Sequence, residues 1–190
     1  LDGKNHSFEL GVTNAIKYWL VDANLHVWLD KHSAWVQASV SVVKPLEFEQ
    51  SCDFDFKQLD GSLEIEVERK SQSSGWVASS YGNFTTSIEK KLKFKNKIKY
   101  EQNGAHKIIK QKVKVKTQVM VVSESGSTIS QTTMKRTYPL MLTILTLPGP
   151  DIDTILMMTN ISHSLNDEFS NEKLSGSVYN SQEAGGWVLL

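Results

Sequence analysis

"KLKFKNKIKY", residues Lys91–Tyr100, decides the fold. Leu92, Phe94, Ile98 and Tyr100 alternate with Lys91, Lys93, Lys95, Lys97 and Lys99. A period of two sends every lysine to one face of a strand, whereas helical periodicity is nowhere convincing. The same beat recurs outward in both directions. Leu63, Ile65 and Val67 alternate with Glu64, Glu66 and Glu68; Val113, Val115, Val119 and Val121 alternate with Lys112, Lys114, Lys116 and Met120. Nearer the N-terminus, Ala34, Val36, Ala38, Val40 and Val42 share a phase. In "WLVDANLHVWLD" (19–30), Val21, Ala23, Leu25, Val27 and Leu29 face away from Asp22, Asn24, His26, Trp28 and Asp30.

Turn signals separate these runs: Asp60-Gly61, Asn103-Gly104, Ser125-Gly126 and Pro148-Gly149-Pro150-Asp151. Asn103-Gly104, between two alternating segments, is the clearest hairpin. The pattern predicts an all-β chain of about nine or ten antiparallel strands, each wet on one side, in a jelly-roll-like β-sandwich. Neither an internal repeat nor a linker divides residues 1–190, which are expected to form a single domain.

Composition excludes several classes. A hydrophobic share of 39% with 22% charged residues is that of a globular chain, not a disordered one. The longest apolar run, Leu140–Leu147, is interrupted by Thr143 and Thr146 and is too short to cross a bilayer as a helix. Lys+Arg and Asp+Glu both total 21, a balance that does not advertise a nucleic-acid partner. Phosphate-loop, HExxH, CxxC and Gly-x-Ser-x-Gly signatures are absent. His6, His26, His32, His106 and His163 lack metal-ligand spacing, so neither a metal nor a cofactor is expected.

Charge is segregated even though it cancels. Residues 44–68 carry eight acidic and two basic side chains, and residues 89–116 carry eleven lysines against two glutamates. If those strands are neighbours, Glu–Lys pairs across them offset the charge. A polyanion-binding face is the other reading. Cys52 falls in phase with Leu46, Phe48, Phe54 and Phe56 and reads as a buried, inert thiol, or else as a bridge to another polypeptide.

Three N-x-S/T sequons, at Asn5, Asn83 and Asn160, exceed the roughly one expected by chance and hint at a secretory life. "NHSFELGV" (5–12) already alternates near the first residue, without an initiator Met or signal peptide. The chain is therefore expected to be a processed subunit or excised piece of a longer precursor.

Asp22, Asn24, His26 and Trp28 form the polar face with the richest chemistry. A carboxylate can position or deprotonate water, an amide can donate to an oxyanion, and an indole can stack on a pyranose. An ordinary polar face or an inter-domain contact is the alternative. Trp76 and Tyr81 read either as anchors closing the end of a sandwich or as a platform facing a sugar. Asn83, in a complete sequon after Gly82, reads as a glycan acceptor.

"SSGWVASSYGNFTTS" (73–87), "LDGKNHSFELGVTNA" (1–15), "VDANLHVWLD" (21–30) and "QLDGS" (58–62) resemble, in order and approximate spacing, the C-terminal part of the peptide-N-glycosidase A family. These are acid-active peptide-N4-(N-acetyl-β-glucosaminyl)asparagine amidases of plants and fungi. The resemblance is dense through Thr86 and thin across the lysine-rich strands. It implies hydrolysis of the amide joining an N-glycan to Asn, without a metal, in a secreted or vacuolar glycoprotein. It also implies a larger N-terminal chain of the same precursor as partner and an N-glycopeptide as substrate. Asp22, Asn24 and His26 are the catalytic candidates and Trp28, Trp76 and Tyr81 the substrate-binding ones. The resemblance also implies that essential groups lie on the larger chain. The rival expectation is a carbohydrate-binding or structural sandwich that supports a catalytic partner.

Overall fold

The computed structural model describes residues 7, 9, 11, 29–33 and 36–190 of the chain. Among them the regular structure is entirely strand: β1 (Gln37–Val43), β2 (Glu47–Lys57), β3 (Asp60–Ser79), β4 (Gly82–Glu101), β5 (His106–Ser123), β6 (Thr128–Pro148), β7 (Ile155–Asn171) and β8 (Ser175–Leu189). All pairings are antiparallel, and the open sheet runs in the order β1-β3-β4-β5-β6-β7-β8. β2 also pairs with β3, along Asp60–Lys70, while β1 covers Ser73–Ala78 of the same edge. The two short strands thus lie end to end beside one long one. From β3 onward the chain is a meander of hairpins. The all-β, antiparallel class predicted by the alternation is present, in an open sheet consistent with a sandwich.

Each hairpin has a local cause. Between β4 and β5 the backbone turns through Gln102 and Asn103, both at positive φ, and Gly104 at φ 81°. Only the last of these takes such a φ without steric cost. The Gly104 N–H donates to Asp60 Oδ1 at 3.1 Å, tying this turn to the start of β3. The Asp60-Gly61 signal is displaced by two residues. Gln58 (φ 59°) and Leu59 make the turn, and Asp60 opens the strand opposite Lys57. Gly126, at φ 82°, turns β5 into β6 as the Ser125-Gly126 signal predicts.

Register divides the sheet into two unlike faces. On one, Glu64, Glu66 and Glu68 of β3 stand opposite Lys97, Lys95 and Lys93 of β4. The neighbours predicted from charge segregation are therefore neighbours. Lys97 and Lys95 hold Glu64 at 2.9 and 2.5 Å, Lys95 also reaches Glu66 at 2.5 Å, and Lys91 and Lys93 hold Glu68 at 2.6 and 2.5 Å. On the other face, Phe54, Leu63, Ile98, Ile109, Leu142 and Ile161 follow one another across six strands. Asn96 interrupts that face between Phe94 and Ile98, and its Oδ1 is shielded from solvent without a hydrogen-bond partner.

No hydrophobic side chain among the described residues is fully buried. The apolar face is thus uncovered by any described element. This corrects the reading of Cys52. The alternation assigns it to the apolar face, opposite Ile65, but β2 is an edge strand with no described element over it, and the free thiol is exposed.

Candidate functional site at the β3–β4 hairpin

Of the predicted site residues, Asp22, Asn24, His26, Trp28 and the sequon residue Asn5 lie outside the described residues. Asp30, the last member of the same alternating set, lies within them and has a defined place. Its Oδ2 accepts the backbone N–H of Ser80 at 2.7 Å, and its Oδ1 accepts the Ser80 hydroxyl at 2.7 Å. Oδ1 also accepts the backbone N–H of His32 at 3.0 Å. The Ser80 backbone bond, then the Ser80 hydroxyl, then the His32 N–H hold the Asp30 carboxyl below its ordinary value.

Ser80 and Tyr81 are the two residues of the β3–β4 loop. Gly82 follows at φ 117°, a conformation that a side chain would oppose. The Tyr81 N–H donates to Ser79 Oγ at 3.2 Å, and the Ser79 hydroxyl in turn reaches the carbonyl of Gly82 at 3.4 Å. Tyr81 is 71% exposed and meets His32 edge-on, with ring centroids 6.1 Å apart. Trp76 lies four residues into β3 from its end, in register between Ser39 of β1 and Thr85 of β4. It is 39% exposed beside a 420 Å³ trough whose lining includes Ser39, Ser74 and Thr86. Neither ring is fully buried. Both present aromatic surface at one end of the sheet.

Asn83 is the second residue of β4, on the far side of the same turn. Its side-chain Nδ2 donates to Glu124 Oε2 at 3.0 Å, and Glu124 donates its own N–H to the Asn83 carbonyl at 3.2 Å. The hairpin end therefore gathers Asp30, His32, Ser80, Tyr81, Asn83 and Glu124. Asn160 is elsewhere, exposed in β7 between Thr143 of β6 and Gly185 of β8.

Ser80 and Glu124 were not singled out by the sequence reading. Ser80 sits within "SSGWVASSYGNFTTS", so its motif was visible although its role was not. Glu124 belongs to an ordinary turn, "ESGS", and carries no signal of its own. The arrangement presents a fixed carboxylate, two exposed aromatic rings and an exposed amide. It brings the end of "VDANLHVWLD" against "SSGWVASSYGNFTTS", two strings fifty residues apart, through the bonds from Ser80 to Asp30.

The turn of the β3–β4 hairpin falls within a segment that matches a known family. Residues 62–140 match the family profile described as the PNGase_A C-terminal domain. The chain is 37% identical over 161 residues to the peptide-N4-(N-acetyl-beta-glucosaminyl)asparagine amidase A of Prunus dulcis. That similarity covers 85% of this chain but only 28% of the almond protein, so the chain spans little more than a quarter of its relative.

Proposed function

From the premise that the chain belongs to the peptide-N-glycosidase A family, through its C-terminal domain, we propose that it is the C-terminal part of an enzyme that removes N-glycans from asparagine. Water adds to the side-chain carbonyl carbon of the glycosylated Asn, and the bond from that carbon to the amide nitrogen breaks. Asp is left on the peptide, and the nitrogen departs with the sugar as a glycosylamine. The step needs a carboxylate to position or deprotonate the water and donors for the tetrahedral oxyanion. Asp22, Asn24 and His26 are the residues we assign to those tasks within this chain. Trp28, Trp76 and Tyr81 are assigned to the sugar. The assignment is supported by the bonding of Asp30 to Ser80, because it holds the last residue of "VDANLHVWLD" at the hairpin bearing Tyr81.

Two observations favour a larger N-terminal portion as partner: an apolar sheet face left open among the described residues, and a relative about three times as long. Asn5, Asn83 and Asn160 are read as glycan acceptors, and the protein as one that travels the secretory pathway to the exterior or a vacuole. The exposure of Trp76 and Tyr81 also suits a second reading, a module that binds carbohydrate while its partner supplies the chemistry.

An N-glycopeptide incubated at mildly acidic pH with this chain alone, and with the complete protein, separates the readings. The readout is the mass change from Asn to Asp. Conversion by the complete protein, and its loss in Asp22→Asn with the fold retained, supports a catalytic share for this chain. Undiminished conversion by that variant favours the supporting module. The absence of conversion by folded complete protein overturns the amidase reading.

A further inference from the structure

The glutamates of β3 account for the lysines of β4, but not for those of β5. Lys110, Lys112, Lys114 and Lys116 are in phase on the charged face and exposed. They stand directly opposite Lys97, Lys95, Lys93 and Lys91. On their other side, β6 offers Met141, Pro139, Thr137 and Lys135. None of the four makes an ion pair among the described residues, and Lys135 is engaged with Glu168 at 3.6 Å. Four consecutive like-charge pairs across two strands oppose folding, since cross-strand neighbours stand close enough to interact directly. Ordinary sheet physics would place acids or neutral residues there.

The stripe borders a groove. Between Thr137 and Leu140 the pairing of β6 with β7 is interrupted without a change of register, where Pro139 has no N–H to donate to the ladder. A 360 Å³ hollow lies alongside, lined in part by Lys95, Lys97, Lys110, Lys112, Met141 and Ser162. Successive lysines of β5 repeat at about 6.8 Å along the strand, so the four span roughly 20 Å.

We propose that the Lys110–Lys116 stripe of β5, with its bordering groove, binds an acidic polysaccharide. The ligand's negative groups would replace the carboxylates that the sheet itself fails to supply. A central strand has its backbone N–H and C=O groups already paired on both sides, so an acidic peptide cannot add here as an extra strand. Recognition must come from side chains alone. Evenly spaced ammonium groups suit sulfate or carboxylate groups repeated along a stiff chain, and Ser162 offers a hydroxyl to its sugars. Lysine, a point charge without a planar fork, fits such diffuse anion binding. The inference is independent of the amidase reading, because the stripe is separate from the β3–β4 hairpin.

The test uses the complete protein and three probes: a heparin dodecasaccharide for sulfate, an oligogalacturonide for carboxylate, and a poly-glutamate peptide. Binding is measured by calorimetry across a series of salt concentrations. The triple variant Lys110→Ser/Lys112→Ser/Lys114→Ser leaves every observed Glu–Lys pair intact. Lys44→Gln/Lys57→Gln/Lys173→Gln removes the same charge from exposed positions elsewhere. The expected result is salt-sensitive binding of one or both saccharides, weakened at least about tenfold in the stripe variant and little changed in the control. A response to heparin alone assigns the ligand to sulfated chains, and a response to the oligogalacturonide alone to carboxylated ones. No saccharide binding at low salt, equal loss in the two variants, or tighter binding of poly-glutamate overturns the proposal. Thermal melting of both variants shows that each is folded.

Discussion

Ser80 gives both its backbone N–H and its hydroxyl to the carboxylate of Asp30, each at 2.7 Å. A serine in a two-residue hairpin loop thereby fixes a residue fifty positions earlier. The link is covalent on neither side, so it rests on the geometry of a tight loop and on Asp30 being ionised.

Breaking this link tests whether it matters to the site. Asp30→Ala removes the acceptor of three bonds, and Ser80→Ala removes one donor. Asp30→Ala is expected to lower the melting temperature of the complete protein more than Ser80→Ala. The double variant should fall short of the sum, because both changes delete the same contact. If the hairpin and the Asp22–Trp28 string act together on a glycopeptide, Asp30→Ala also lowers kcat/KM by about ten- to a hundredfold with the fold retained, the scale expected when a positioned group is displaced. Additive melting effects with unaltered turnover would reduce the bond to a surface contact.

Acid sensitivity should follow from the carboxylates of β3. Hydrogen bonds from Lys95, then Lys97, lower Glu64 from the ordinary 4.5 to about 2, and bonds from Lys91, then Lys93, do the same for Glu68. Both groups bind protons more weakly in the folded chain than in the unfolded one. Their stabilising contribution is therefore complete above about 4.5, declines as pH falls, and is gone below about 2. The Glu64→Gln/Glu68→Gln variant should accordingly lose stability at neutral pH. Its urea midpoint should change less steeply through that acid window than that of the native protein. High salt should narrow the gap, since these pairs are open to solvent. Parallel pH profiles would show that the ladder contributes nothing measurable.

The two faces of the sheet were legible because strands convert a period of two directly into sidedness. Lys91–Tyr100 needed no tertiary information to be read. The Glu–Lys ladder was legible for a related reason: opposite charges concentrated in 44–68 and 89–116 could be reconciled by making those segments neighbours. Strand ends were less legible. Asp60-Gly61 looks like a turn, yet Gln58 takes the left-handed conformation and moves the turn two residues earlier. Cys52 was assigned to the correct side of β2, but periodicity says which way a side chain points, not whether anything covers it. The partner of Asp30 could not be read at all. A bond between a segment end and a loop serine has no period, and only the folded hairpin brings the two together.

Lys112 offers a test of how binding and stability oppose one another. It faces Lys95 across the strands, and Lys95 already bonds Glu64 and Glu66. Lys112→Glu replaces a like-charge pair with an opposite one and should raise the melting temperature by a few degrees. The same change should weaken heparin retention more than loss of one exposed lysine elsewhere. A variant that is both less stable and equally retained would contradict the electrostatic account of this face.

Asn96 is a polar residue on the apolar face. Its Oδ1 is shielded from solvent and unpartnered, while its register neighbours are Ile65 on β3 and Gln111 on β5. A buried acceptor without a donor costs about 1–3 kcal/mol. Valine suits a strand better than asparagine does and would continue the apolar run from Phe94 to Ile98. Asn96→Val is therefore expected to stabilise the complete protein by about 1 kcal/mol, read as a higher urea midpoint with an unchanged slope. A lower midpoint would mean that the Asn96 amide has a partner in the complete protein, supplied by whatever covers this face of the sheet. The slope distinguishes that case from a change in compactness, because loss of a covering segment would alter the surface exposed on unfolding.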